Sequence, residues 1–257
     1  MKKALSIILA VLMLMSVSSL AFAAEESRAI VYVSIADKGA IKVAAKPITV
    51  KDVDADKTLT INDALYCAHE EFYDGGAEKG YSYYTGQYGL SLGKLWGDDS
   101  GNFGYFVNDK SAWSLADVVK PGDFVYAFVY SDGKTWSDSY SFFDKKNVKT
   151  DTVSETELTL TSYSYDENFN LVPSSVEGAA ITVDGKDTGV KTDKDGKAVI
   201  TVKTPGKHII SAESPEGKIL VPPVCSLNAE LDLIKVIADF FNNIVELIKG
   251  FFGNIFK

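Results

Sequence analysis

The stretch "DVDADKTLTINDALYCAHEEF", Asp52 to Phe72, sets three aspartates at alternate positions ahead of an apolar pattern with helical spacing. Ala64, Leu65, Ala68 and Phe72 fall on one side of a helix. Before it, "AIVYVSIA" (29–36) and "IKVAAKPITV" (41–50) are rich in β-branched residues and read as strands. After it come "FGYFVND" (103–109), "FVYAFVY" (124–130) and "DSYSFFD" (138–144), punctuated by Pro121-Gly122 and Asp132-Gly133. The order strand, strand, helix, three strands predicts an α+β module over about 28–146.

A polar stretch, "KKNVKTDTVSETE" (145–157), separates this module from a second one over 156–227. There "LTLTSYSY", "AAITVDG", "KAVITV", "KHIISAE" and "KILVPP" are short strands, with Asp184-Gly185 and Asp195-Gly196 as hairpin turns. Strands at this spacing without helices predict an all-β unit, a small β-sandwich. The tail, 229–257, changes period again. Leu233, Ile237, Phe240, Ile244, Ile248, Phe251 and Ile255 form one stripe, with Asp232, Lys235, Asp239, Asn242, Asn243, Glu246 and Lys249 largely opposite. This is an amphipathic helix with a wide apolar face. Leu233–Phe256 is therefore read as a surface for membrane association, self-association or packing on the second module.

At the N-terminus, Lys2 and Lys3 precede an apolar run, Ala4 to Met15, and small residues ending in Ala21-Phe22-Ala23. That pattern reads as a secretory signal, residues 1–23, and predicts a secreted or cell-surface protein. Loss of Lys2 and Lys3 takes the net charge from −9 to −11. A chain this acidic repels nucleic acid and anionic membranes and suits calcium or cationic partners. Cys67 and Cys225 fall in different modules, and are read either as a pair formed after export or as two buried thiols.

The segment "YGLSLGKLWGDDSGNFGYFVNDKSAWSLADVVKPGDFVYAFVY" resembles the β-grasp domain at the C-terminus of transcobalamin and in many bacterial secreted proteins. Trp96-Gly97, the "GNFGYFVN" strand with Asn108, and "VKPGDFVYAFVY" carry the likeness. It implies a ubiquitin-like sheet wrapped on one helix, and makes a corrinoid ligand conceivable. The large helical partner domain of transcobalamin has no counterpart in this chain. The segment "GAAITVDGKDTGVKTDKDGKAVITVKTPGKHIISA" resembles the transthyretin-like or carboxypeptidase-regulatory sandwich of bacterial surface proteins. Some relatives carry a lysine–asparagine crosslink, but "ELTLTSYSY" offers no lysine for one.

Counted from Asp52, oxygen side chains fall at loop positions 1, 3 and 5 (Asp52, Asp54, Asp56), then 7, 9 and 12 (Thr58, Thr60, Asp63). Alternate oxygens of this kind can turn inward on one calcium ion. The loop is similar to the dockerin repeat, but has Lys57 where glycine is usual and the shorter Asp63 at the last position. The competing reading makes Thr60 or Asn62 a helix cap, with the aspartates solvated. Crowding of three acids favours the cation.

Tyr81, Tyr84 and Tyr88 lie in "GYSYYTGQYG", close to Trp96, with Trp113 and Trp136 in other connections. Tyr81, Tyr84, Tyr88, Trp96 and Trp113 are read as a binding surface for a glycan or protein, or as rings packed beneath a long loop. Gly89-Leu90-Ser91-Leu92-Gly93 matches the nucleophile-elbow pattern, but no histidine or acid falls into the required order. Cys67 and His69 diverge on one helix, and His69 reads as a helix-surface residue. The expectation is a non-catalytic exported binding protein with a calcium-braced β-grasp module. The alternatives are an envelope assembly component or a small-molecule, corrinoid-like binder.

Overall fold

The computed structural model describes residues 28–135, 137–168 and 170–255; the signal segment 1–23, Trp136 and Phe256 lie outside the described residues. The chain is β-rich, with seventeen strands and three helices among the described residues.

β1 (Arg28–Asp37) turns through Lys38-Gly39 into β2 (Ala40–Lys51), its antiparallel partner. Lys38 and Gly39 both have positive φ, as a tight two-residue hairpin requires. Next come α1 (Ile61–Phe72) and α2 (Gly76–Gly80), then the hairpin of β3 (Ser82–Gly86) and β4 (Gly89–Lys94). β5 (Phe103–Val107), β6 (Lys110–Ser111) and β7 (Phe124–Val129) complete a sheet of order β2-β1-β7-β5-β6. β1 and β7 run parallel at its centre.

The reason lies in β7. Val125, Ala127 and Val129 point to one face and join Val31, Val33 and Ile35 of β1 under Ile61, Ala64, Leu65 and Ala68 of α1. Tyr126 and Phe128 point to the other face, into a different core. A strand buried on both sides reads as a continuous apolar run. Phe72, expected on the apolar stripe of α1, sits at its exposed end.

β8 (Ser139–Phe143) departs from the expected order. Placed by sequence as the last strand of the first module, it pairs instead with β10 (Thr156–Tyr165) and β16 (Leu220–Val221). Its alternation explains this: Tyr140 and Phe142 face the first sheet, while Phe143 faces the second core. The polar separator is not a loop throughout. Asn147–Asp151 forms β9, which pairs parallel with β17 (Cys225–Glu230). Val148 anchors it in the second core while its neighbours face outward.

β11 (Leu171–Ser175), β10, β8 and β16 make one sheet, with β14 (Lys197–Ile200) also on β10. β13 (Lys186–Lys191), β12 (Ala180–Val183), β15 (Gly206–Glu213), β17 and β9 make the other. Leu158, Leu160, Ile181, Ile210 and Leu227 fill the core between them. Asp184 and Gly185 turn β12 into β13 with positive φ at both, as the sequence signal requires. α3 (Leu233–Ile255) follows, and no helix among the described residues is long and apolar enough to cross a membrane.

The first sheet and the β8-β10 sheet meet through aromatic rings. Phe106 stacks on Tyr140 with centroids 3.7 Å apart and planes 3° apart, and Tyr163, Phe128 and Tyr126 complete the cluster. Phe106→Ala, which empties the centre of this contact, is expected to cost about 3–5 kcal/mol of stability in urea denaturation. A cost under about 1 kcal/mol would mean that the rings meet without cohesion.

Candidate functional site

The entry to α1 is built by hydrogen bonds from its own sequence. Thr60 is the N-cap, in extended conformation, and its Oγ1 accepts from the Asp63 N–H at 3.3 Å. Asp63 Oδ2 accepts from the Thr60 N–H at 2.8 Å and from the Thr60 hydroxyl at 2.7 Å. This is a reciprocal capping box. The next orphan donors, Ile61 N–H and Asn62 N–H, reach the carbonyls of Asp117 and Leu115. The 112–119 segment is thereby tied to the helix start.

Asp63 is fully buried, and its second oxygen accepts from the Val53 N–H at 2.9 Å. That bond folds the acidic loop back over the helix. Within the loop, Asp52 accepts from the Asp56 and Lys57 N–H groups, and Asp56 accepts from Thr58. Lys57, where a calcium loop usually carries glycine, has φ 70°, and Ala55 has φ 62°. Both residues therefore take the left-handed conformation, at a cost on the order of 1 kcal/mol each.

One oxygen each from Asp52, Asp54 and Asp63 lies within 4.8 Å of the others. Two ligands about 2.4 Å from one calcium ion can stand no farther apart than about 4.8 Å, so the three meet the spacing of a shared cation. Asp56 is not among these three carboxylates. The Asp56 carboxylate serves the Thr58 N–H, and Thr60 serves the cap. Electrostatics differ across the triad. Burial tends to raise the Asp52 carboxyl, but N–H donors from Lys57, Ala55 and Asp56 outweigh it and hold it below its ordinary value. Burial and the Asp56 carboxylate raise Asp54. Three carboxylates fit a hard cation, whose remaining sites backbone oxygens and water would fill.

The aromatic residues separate into two groups. Tyr81 is buried, and its hydroxyl donates to Asn62 Oδ1 at 2.8 Å. Trp96 is half-buried, edge-on to Tyr73 and 5.3 Å from the His69 ring. Both pack inside, which removes them from an exposed platform. Tyr84, Tyr88 and Trp113 are 56%, 81% and 86% exposed. The "GYSYYTGQYG" segment is a hairpin rather than a loop, and Tyr84 pairs with Ser91 across it. Its ring lies close to both Gly86 and Gly93, where no side chain intervenes.

Trp113 stands on an ordered segment. Asp117 Oδ2 accepts from the Trp113 and Ser114 N–H groups, Ser114 bonds Leu90 in β4, and the Tyr105 hydroxyl donates to the Trp113 carbonyl. Asp117 is the residue that sequence reasoning passed over, although Ser114-Leu115-Ala116-Asp117 carries the Ser-x-x-Asp turn signal. Ser91 sits mid-strand in β4, so the strand-turn-helix geometry of a nucleophile elbow is not built around it. Cys67 and Cys225 are free thiols in different cores. Burial raises Cys67, and pushes Cys225 up to about 12.

His69 corrects the sequence expectation outright: it is fully buried. Its Nδ1 bonds the Leu65 carbonyl at 2.7 Å, and its Nε2 faces the Trp96 N–H at 3.1 Å. A carbonyl on one side and a donor on the other require Nδ1–H and a bare Nε2. Trp96 and Gly97, with φ 52° and 81°, form the turn between Leu95 and Asp98 that presents this N–H. A Cβ at Gly97 would fall 2.3 Å from the Tyr73 hydroxyl, which explains the glycine in the Trp-Gly pair.

No family model matches the chain, and no curated protein or solved structure matches it either.

Burial lowers His69 to about 4, against the opposing pull of the Leu65 carbonyl. Below about pH 6.5 the unfolded chain takes up a proton that the folded chain refuses. The His69 contribution is therefore complete above pH 6.5 and lost as pH falls through about 4, by on the order of 3 kcal/mol. Replacing His69 with Gln is expected to flatten that part of the stability–pH curve, measured by urea midpoints. Parallel curves for both proteins would remove His69 from the account.

Proposed function

We propose that this chain is an exported, non-catalytic binding protein whose first module presents Tyr84, Tyr88 and Trp113 to a glycan or protein at the cell surface. The observation that carries the reading is Trp113. Its indole is the most exposed large apolar side chain of the described residues, yet its backbone is held at both ends, the N–H by Asp117 and the carbonyl by the Tyr105 hydroxyl. Exposed apolar area on a tied-down segment has no use within the fold and suits recognition.

The finer architecture belongs to the same proposal. A sheet of order β2-β1-β7-β5-β6, with β1 parallel to β7 and one helix across it, supports a β-grasp reading of the first module. Two facing sheets joined by short turns support the β-sandwich reading of the second. Calcium at Asp52, Asp54 and Asp63 would brace the loop that enters α1, and so steady the 112–119 segment that carries Trp113. Extracellular modules bind calcium at roughly 0.1–1 mM, which suits a site of three carboxylates.

A second reading, an envelope assembly component, is favoured by α3. Leu233, Ile234, Ile237, Phe240 and Phe241 are all exposed there. In it, the tail would join copies of the chain or hold the chain at a membrane surface.

Two measurements separate these readings. On a glycan array, binding is expected from the intact protein and a loss of at least about tenfold from Tyr84→Ala with Trp113→Ala. Equal binding by the variant would end the surface assignment, and absence of binding by the intact protein leaves assembly as the reading. In calorimetry, calcium at ten times its Kd should stabilise the protein by about 1.4 kcal/mol, and Asp54→Asn should abolish the gain. Identical melting in calcium and in chelator would remove the metal.

A further inference from the structure

Where the modules meet, a cleft of about 640 Å³ opens between the β1–β2 hairpin and the outer face of β12 and β15. Its size lies in the range of small-molecule sites. Ile181, Ile210 and Ala212 point inward to the second core, so the alternate residues of the same strands face the cleft. Those residues are Thr182 on β12, and Ile209, Ser211 and Glu213 on β15.

Thr182 and Ser211 are directly opposite each other in the ladder. Both are almost closed off, at 4% and 7% exposure, and both line the cleft. Neither hydroxyl is bonded to another described residue, and neither oxygen is among the fully enclosed unpartnered ones, so both keep an open side toward the cleft where a ligand can reach them. Glu213, two residues along the same face, lies at the rim. Asp184 adds a second carboxylate, already engaged by His208 and the Ile209 N–H. No lysine or arginine is among the lining residues. Ile41, Ile209, Ile219 and Leu220 supply apolar wall, and Ser131 and Ser214 add further hydroxyls.

We propose that this cleft binds a small cationic amphiphile, a primary amine carried on an apolar body. The apolar body lies against the isoleucines. The ammonium has three N–H donors and no acceptor, and meets three acceptors: the Thr182 and Ser211 hydroxyls and the Glu213 carboxylate. A carboxylate or phosphate headgroup would meet the Glu213 carboxylate with no lysine or arginine in the lining to offset it, Lys186 acting on Asp184 from outside the cleft. The cleft is separate from the aromatic surface of the first module, and the proposal holds or fails independently of that surface.

The test uses the full chain and three probes of equal length: n-hexylamine, 1-hexanol and hexanoate. Amide resonances of Thr182, Ser211 and Glu213 are followed by NMR during titration. Hexylamine is expected to give saturable shifts with a Kd on the order of 1 mM, as suits so small a ligand. Hexanol should bind at least about tenfold more weakly and hexanoate not at all. The double variant Thr182→Val, Ser211→Ala should weaken hexylamine by at least about tenfold. Glu213→Gln, at an exposed position that leaves folding untouched, should weaken hexylamine while leaving hexanol unchanged. Hexylamine shifts that fail to saturate, or that persist at full strength in the double variant, would overturn the site. Hexanol or hexanoate binding as tightly as hexylamine would overturn its cationic ligand class.

Discussion

The contact on which the whole molecule turns is the stack of Phe106 on Tyr140. It joins a strand of the first sheet to a strand of the second module, and Tyr163, Phe128 and Phe142 extend it to both sides. Asp109 accepts from the Tyr140 hydroxyl, and Lys146 pairs with Asp109 while lying over the Phe142 ring. Stacked rings of this size contribute both buried area and geometric preference. The first sheet is thereby covered on both faces, by α1 on one side and by the second module on the other. Such a sheet has no free face for another partner. The sites proposed for a partner lie at its margins.

Those margins hold three chemically different places. The acidic loop sits at the start of α1, the aromatic residues stand on the β3–β4 hairpin and the 112–119 segment, and the cleft lies where the modules join. Hydrogen bonds couple the first two, because the carbonyls of Asp117 and Leu115 cap the same helix that Asp63 closes. The third depends on the aromatic contact directly. That contact, together with the bond from the Tyr126 hydroxyl to the Pro222 carbonyl, holds the β1–β2 hairpin opposite β12 and β15.

Much of this was legible from local pattern. The order of hairpin, helix and further strands followed from periodicity, and Asp184-Gly185 turned as a two-residue hairpin should. The Thr60 cap and Asp63 were visible as spacing, and the acids at 52, 54 and 63 do converge. What pattern could not supply was long-range partnership. Alternation in β8 is equally good for either module, and only the facing rings decide that Tyr140 belongs between them. Asn147–Asp151 has one apolar anchor, too little to announce a strand until β17 supplies its ladder. Tyr81 and Tyr84 look alike in sequence, yet one finds Asn62 as a buried partner and the other covers two glycines at the surface. His69 looks like a polar helix residue because its partner, the Trp96 N–H, is presented by a turn 27 residues later.

Joined by the aromatic cluster between them, the two modules open together. Native-state hydrogen exchange reads this directly, by comparing the most protected amides of β7 in the first sheet with those of β10 in the second module. One common opening free energy is expected for both strands, with the same dependence on added urea. Two distinct values, with one module exchanging freely while the other stays closed, would contradict it.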